Sequence, residues 1–262
     1  MKSSSREASV PGLQSFEVLQ DWNRTLLEKV SEQSDLIERM SRLKRYLSPQ
    51  LADSILQGDD PELFSSDRRE ITAVFLDLRG FTAFSDSAEP EEVMALLRSY
   101  HTEIGKLIFQ FGGTVEQFVA DGLMVFFNAP LPCQDHTELA VRLSLAISER
   151  IKRLREEWLI KGYELDLGIG VAAGYAAVGH IGFEGQIAYG AIGNVTNLAS
   201  RLCGAAKGGQ ILTDQKTLKQ VEELVEAESL GELHLKGFAR TVRAFNILCL
   251  KRCPEAGEPG CC

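Results

Sequence analysis

Two acidic residues carry the strongest chemical signal in the chain. Asp77 closes the apolar run of AVFLDLRGFT, just before a glycine, and Asp121 lies between two apolar runs in GGTVEQFVADGLMVFF. Each therefore stands where a buried strand gives way to a turn, and a carboxylate there is costly to desolvate unless something pairs with it. Taken singly, each has a plain explanation: Asp77 as a helix N-cap, Asp121 as a turn residue. Converging, the two would make a hard-oxygen site suited to Mg²⁺ or Mn²⁺. Gly80, Phe81 and Thr82 follow Asp77 at a strand-to-helix turn. Glycine there lets backbone amides approach an anion, so the expected ligand beside the metal is a polyphosphate, although an ordinary β–α turn would read the same way. Asn197 and Arg201 stand four apart in a helical segment and share one face, which is either solvated or chemical.

Those residues need a frame. Ile71–Leu76 reads as a buried strand. From Pro90 a helix follows, with Val93, Leu96, Leu97, Tyr100, Ile104, Leu107, Ile108 and Phe111 as its core stripe, ended by Gly112-Gly113. Two strands around Ala120, Asp121 and Gly122 form a predicted hairpin with Asp-Gly at its tip. Thr137–Trp158 is a second amphipathic helix and Leu165–Gly174 a strand. A Gly-rich strand-and-arm excursion is expected from Tyr175 to Tyr189, a helix from Asn194 to Ala206 and a strand from Gln210 to Thr213. A short helix over Asp214–Val221 and two strands around Gly237 between Glu232 and Leu248 complete the reading. The order β α β β α β, with additions after it, predicts an α+β, ferredoxin-like sheet.

This domain is expected over residues 68–248. Before it, residues 1–14 read as disordered from their Ser, Pro and charge content. Residues 15–47 contain neither Pro nor Gly. A heptad frame there places Phe16, Leu19, Asn23, Leu26, Val30, Gln33, Ile37, Met40, Lys44 and Leu47 at a and d positions. That pattern predicts a two-stranded coiled coil with Asn23 as a register-setting polar residue; a single amphipathic helix packed on the domain is the alternative. Residues 48–67 read as a short helix, capped by Ser48-Pro49, and a linker.

Composition limits the functions available. The net charge is −9 over 262 residues, so long-range attraction to nucleic acid or to an anionic membrane is not expected. A nucleotide would have to be held by local cations and amides. No apolar stretch is long enough to span a bilayer and the N-terminus is polar, so a cytoplasmic protein is expected. Four of the six cysteines fall in the tail, residues 249–262. They read as free thiols in a flexible segment rather than a disulfide framework or a zinc site.

FLDLRGFT, GGTVEQFVADGLMVFF, GNVTNLASRL and the late LKGF, in this order and at these distances, resemble the class III nucleotidyl cyclases, the adenylate and guanylate cyclase catalytic domains. The resemblance covers about residues 68–248, and RYLSPQLADSIL resembles the helical element that precedes such domains in bacterial members. It implies that the 3′-hydroxyl of a nucleoside triphosphate attacks its own α-phosphate, releasing pyrophosphate, with two Mg²⁺ or Mn²⁺ ions per site. Asp77 and Asp121 would be the metal aspartates, with the Leu78 carbonyl completing one shell. Gly80, Phe81 and Thr82 would meet the phosphates. Asn197 would orient the ribose and Arg201 would stabilise the transition state. Lys236 would hold the outer phosphates. The family builds each site from two subunits, which implies a homodimer, with the coiled coil linking it to an upstream sensor domain or a separate partner.

The chain departs from the family where the purine is read. Gln117 stands where adenylate cyclases commonly have Lys, and Gly190 where they have Asp or Thr; the Glu and Cys of guanylate cyclases are also missing. Gln117 offers both a donor and an acceptor. ATP is therefore the expected substrate, with weak discrimination against GTP. Ala120 puts a methyl on a strand where the family has Gly. The competing reading is a catalytically silent, dimerising cyclase homologue. A diguanylate cyclase is set aside, because its GG[DE]EF signature is missing.

Overall fold

The computed structural model describes residues 11–44, 52, 66–183 and 186–251. The expected short helix and linker at 48–67, apart from Ala52 and residues 66–67, and the tail beyond residue 251 lie outside the described residues. The chain divides into two compact units, residues 1–52 and 53–262.

Among the described residues, the first unit holds helix α1 (Pro11–Lys44). It begins earlier than expected, so residues 11–14 are helical rather than part of a disordered N-terminus. Proline suits the first helical position, where its missing N–H has no partner to lose, and residues 13–44 contain no Pro or Gly to break the helix. Five of the predicted a and d residues, Leu19, Leu26, Val30, Ile37 and Met40, are exposed apolar side chains, as is Trp22.

The second unit contains β1 (Asp67–Arg79), α2 (Phe81–Ser87), α3 (Pro90–Gln110), β2 (Thr114–Val119), β3 (Gly122–Phe127), α4 (His136–Ile160), β4 (Asp166–Phe183), β5 (Gln186–Ile192), α5 (Asn194–Ala205), β6 (Ile211–Asp214), α6 (Gln215–Val221), β7 (Val225–Leu233) and β8 (Val242–Leu250). The sheet order is β2-β3-β1-β4-β6-β8-β7, with β5 paired to β4 off this path. Its first four strands have the order of the expected ferredoxin-like unit. β1 lies antiparallel between β3 and β4, and the additions extend the sheet through the parallel β4–β6 pair.

Alternation along the central strands separates two faces. Val74, Leu76 and Leu78 of β1, Leu123, Val125 and Phe127 of β3, and Leu167, Ile169 and Val171 of β4 join one apolar core with Leu96, Tyr100, Ile104 and Ile108 of α3 and Leu143, Ile147 and Ile151 of α4. The opposite face carries α5, whose backbone lies directly on β4: a Cβ on Gly170 would fall 2.1 Å from the Ala199 carbonyl oxygen. Asp77 and Arg79, two apart on β1, belong to this second face.

Two local readings are corrected. The expected strand Leu165–Gly174 is the first half of an 18-residue strand, β4, that runs on to Phe183 and returns as β5. Its glycines and alanines interrupt the apolar pattern, yet they permit the pairing. The β2–β3 turn is centred on Ala120 and Asp121, not on Asp-Gly, because Gly122 already pairs with Val119. Ala120 is therefore in the turn with φ 53° rather than on a strand. Its left-handed backbone costs about 1 kcal/mol relative to glycine. Core alternation on β3 enforces it, since a one-residue slip would turn Leu123, Val125 and Phe127 away from the core.

Candidate active site

Asp77 and Asp121 come together because the β2–β3 turn folds over the end of β1. The Leu78 amide donates to Asp121 Oδ2 at 3.1 Å, and a Cβ on Gly122 would lie 3.8 Å from Asp77 Oδ1. Burial raises the Asp121 pKa, and the neighbouring Asp77 charge adds to this, against the lowering effect of its own amide, the Leu78 amide and Arg79. A carboxylate such as Asp121, whose ionisation is opposed by burial and by a neighbouring acid, is one a divalent cation would relieve. Beneath them the Tyr100 hydroxyl is fully buried with no hydrogen-bond partner among the described residues, close enough that Asp121, Cys203 and Asp77 add to the effect of burial in raising its pKa. These hard oxygens suit Mg²⁺ or Mn²⁺. Among the described residues, no cluster of three or more His, Cys, Asp or Glu side chains has metal-binding geometry, so carbonyl, water or phosphate oxygens would have to complete any shell.

Arg79 is the residue sequence reasoning missed. Its guanidinium pairs with Asp77 Oδ2 and donates to the Cys203 carbonyl and, through Nε at 2.8 Å, to the Ala206 carbonyl. Gly168 on β4 leaves room for it; a Cβ there would overlap Nη2 at 2.3 Å. Arg79 thus ties the end of α5 to the metal-candidate carboxylate. The alternation of Asp77 and Arg79 on one strand face was the available signal, although nothing in the sequence identifies α5 as the partner. The neighbouring Cys203 thiol is pushed up to about 12, chiefly by burial, and is unreactive as a thiolate.

Gly80 takes φ 84° as it leads into α2. It has neither freedom nor room for a side chain, since a Cβ would sit 2.5 Å from the Glu164 carbonyl oxygen. The amides of Phe81 and Thr82 then open the helix, where the first N–H groups have no intrahelical acceptor. Phe81 is buried and Thr82 exposed.

Asn197 and Arg201 are both exposed on α5. Arg201 shares with Asp77 a cavity of about 510 Å³, also lined by Phe75, Met124, Ser200 and Gly204; Asn197 does not line it. Gln117 follows a bulge in β2 and pairs with Met124, and Gly190 pairs with Gly179 on the β4–β5 arm. Lys236 is exposed between β7 and β8. Within one chain Asn197, Gly190 and Lys236 do not line the Asp77 cavity.

Two histidines, His101 and His136, pack within the fold. His101 packs edge-on against Phe118 at 5.0 Å. His136 Nδ1 lies 2.7 Å from the Thr72 hydroxyl in a buried network at the start of α4.

Residues 64–248 match the family model described as the adenylate and guanylate cyclase catalytic domain. Adenylate cyclase 1 of Rhizobium meliloti is 31% identical over 196 residues, which are 74% of this chain and 30% of that protein. The adenylate cyclase of Anabaena cylindrica is 26% identical over 61% of this chain and 32% of its own length. The chain thus spans about a third of these relatives. Among solved structures, the adenylyl cyclase CyaB of P. aeruginosa superposes with a TM-score of 0.68 at 32% identity, covering 74% of this chain and all of that one. The guanylyl cyclase Cya2 follows at 0.67 and 31%, covering 73% and 98%. With a family match over the whole sheet-and-helix domain, the chain belongs to the adenylate and guanylate cyclase catalytic domain family.

Proposed function

We propose that the chain is an adenylate cyclase, converting ATP to 3′,5′-cyclic AMP and pyrophosphate in sites shared between two copies. The observation that carries this reading is the apposition of Asp77 and Asp121 at the end of β1, with Arg79 fixing α5 beside them. Divalent ions held by Asp77, Asp121 and the Leu78 carbonyl would neutralise phosphate charge and ease deprotonation of the 3′-hydroxyl. The chain's own groups do the rest. The Phe81 and Thr82 amides receive phosphate oxygens at the opening of α2. Arg201 offers a fixed pair of donors to the α-phosphate as negative charge builds there, a role in which lysine would be a poor substitute. Asn197, one turn away on the same exposed face, holds the ribose so that its 3′-hydroxyl is in line. Lys236 neutralises the outer phosphates.

Two features support a homodimer. Asn197 and Lys236 lie outside the cavity that holds Asp77, so a complete constellation needs a second chain. The apolar stripe of α1 is exposed and suits pairing as a coiled coil, coupled to an upstream sensor domain or a separate sensor protein. The similarity to CyaB and to Cya2 is nearly equal, which supports a GTP side activity beside the main one. The test is purified full chain with Mn²⁺ and ATP. Cyclic AMP should accumulate, and Asp77→Ala should abolish it while leaving the oligomeric state unchanged. Absence of cyclic AMP from the wild-type chain refutes the proposal.

A further inference from the structure

Two buried side-chain atoms that find no hydrogen-bond partner among the described residues, the Tyr100 hydroxyl and His101 Nε2, sit on consecutive residues of α3. This stretch of α3 lies against the β2–β3 turn. The His101 ring meets Phe118 edge-on at 5.0 Å and the Tyr100 ring at 5.2 Å. The Ala120 backbone is near enough to oppose the lowering that burial imposes on the His101 pKa. Tyr100 itself is 0% exposed and belongs to the apolar core. A phenylalanine would fill the same place without burying a hydroxyl, and a buried hydroxyl left unpaired is costly. Such a group calls for an acceptor, one that comes within reach when the neighbouring site is filled.

Three groups lie near enough to act on this hydroxyl: Asp121, Cys203 and Asp77. The Cys203 thiol donates to the Gly168 carbonyl, and Asp77 Oδ2 is taken by Arg79. Asp121 accepts from the Leu78 amide through Oδ2 and, once ionised, has further lone pairs to offer. Resting on the cation site of the proposed function, we infer that Tyr100 is a positioning residue: when Asp121 holds a divalent cation, the Tyr100 hydroxyl donates to its carboxylate and fixes its orientation. Ligating carboxylates are ordinarily hydrogen-bonded from behind, and loss of such a partner typically weakens metal binding roughly 10- to 100-fold. Because the bond is made only in the cation-bound protein, the hydroxyl adds to cation affinity and not to the stability of the cation-free chain.

The experiment titrates Mn²⁺ alone into the full-length wild type and Tyr100→Phe, reading free Mn²⁺ by electron paramagnetic resonance. It also measures the melting midpoint of each chain with and without the ion. Tyr100→Phe keeps the ring, so the core stays filled. The variant should bind Mn²⁺ roughly tenfold or more weakly. Without Mn²⁺ it should melt at or above the wild-type midpoint, by up to about 4 °C, because an unpaired hydroxyl has been removed. Mn²⁺ binding as tight as that of the wild type overturns the inference. So does a variant that melts below the wild type without Mn²⁺, since the hydroxyl would then already have a partner in the cation-free chain. Either result, with Mn²⁺ bound by the wild type, leaves the cation site standing and removes only the role of Tyr100. A wild type that binds no Mn²⁺ overturns the cation site of the proposed function, and the inference with it.

Discussion

At the scale of single residues, Arg79 joins stability to chemistry. It is 26% exposed in its side chain while Asp77 is 44% exposed, so the pair is worth more than a surface bridge and less than a fully buried one. The bonds to the Cys203 and Ala206 carbonyls add anchoring that a lysine could not reproduce in this fork geometry. Arg79→Lys should therefore lose about 2 kcal/mol of stability, read from denaturant midpoints. It should also lower kcat more than KM, because Asp77, the proposed metal ligand, would lose the guanidinium that holds it in place. Glu116 gives a second residue-scale prediction. Burial, offset only in part by the Ala191 amide, raises its pKa above the ordinary 4.5. The folded chain then binds that proton more tightly than the unfolded chain. The contribution is fully present below 4.5 and is lost as pH rises through the raised value. Glu116→Gln should accordingly be more stable than wild type near pH 8, and the gap should close on acidification. A gap independent of pH would show that Glu116 finds a partner in the folded state.

Elements show what the sequence could and could not disclose. The α3 stripe through Leu96, Tyr100, Ile104 and Ile108 repeats with helical period and is buried as read. Asp77 and Asp121 were legible because a carboxylate at the end of an apolar strand violates the local pattern and demands a partner. The Ala120-Asp121 turn was misread because Asp-Gly is the commoner hairpin tip, while here the tertiary demand of the β3 core face sets the register. The length of β4 was hidden for a related reason: beyond Val178 it pairs only with β5, and no residue there joins the main apolar core. The half-buried Glu116 was passed over because a bulge is visible only in the pairing. For α1, exposed Leu19, Leu26, Val30, Ile37 and Met40 form an unpartnered stripe. Removing residues 1–47 should weaken dimerisation and lower specific activity, measured by sedimentation and by cyclic AMP formation. Unchanged assembly and activity would remove the coiled coil from the account.

At the scale of the whole molecule, the proposed triphosphate substrate carries the same sign of charge as the protein. The net charge of −9 opposes long-range attraction of a triphosphate, and added salt should screen that repulsion. Affinity must come from short-range groups: helix-opening amides, Arg201, Lys236 and cations brought by the carboxylates. These groups are divided over the chain, in keeping with the proposed dimer. In the proposed two-copy site, two-fold symmetry would let each site take Asp77 and Asp121 from one copy and Asn197 and Arg201 from the other.

The most direct measurement mixes two inactive variants, Asp77→Ala and Arg201→Ala, under conditions that exchange subunits, and assays cyclic AMP formation from ATP with Mn²⁺. Each variant alone should be inactive. In an equal mixture half the dimers are heterodimers, each with one intact and one doubly defective site, so activity should return to about a quarter of wild type. No recovery in a mixture shown to contain heterodimers would contradict a site shared between two chains.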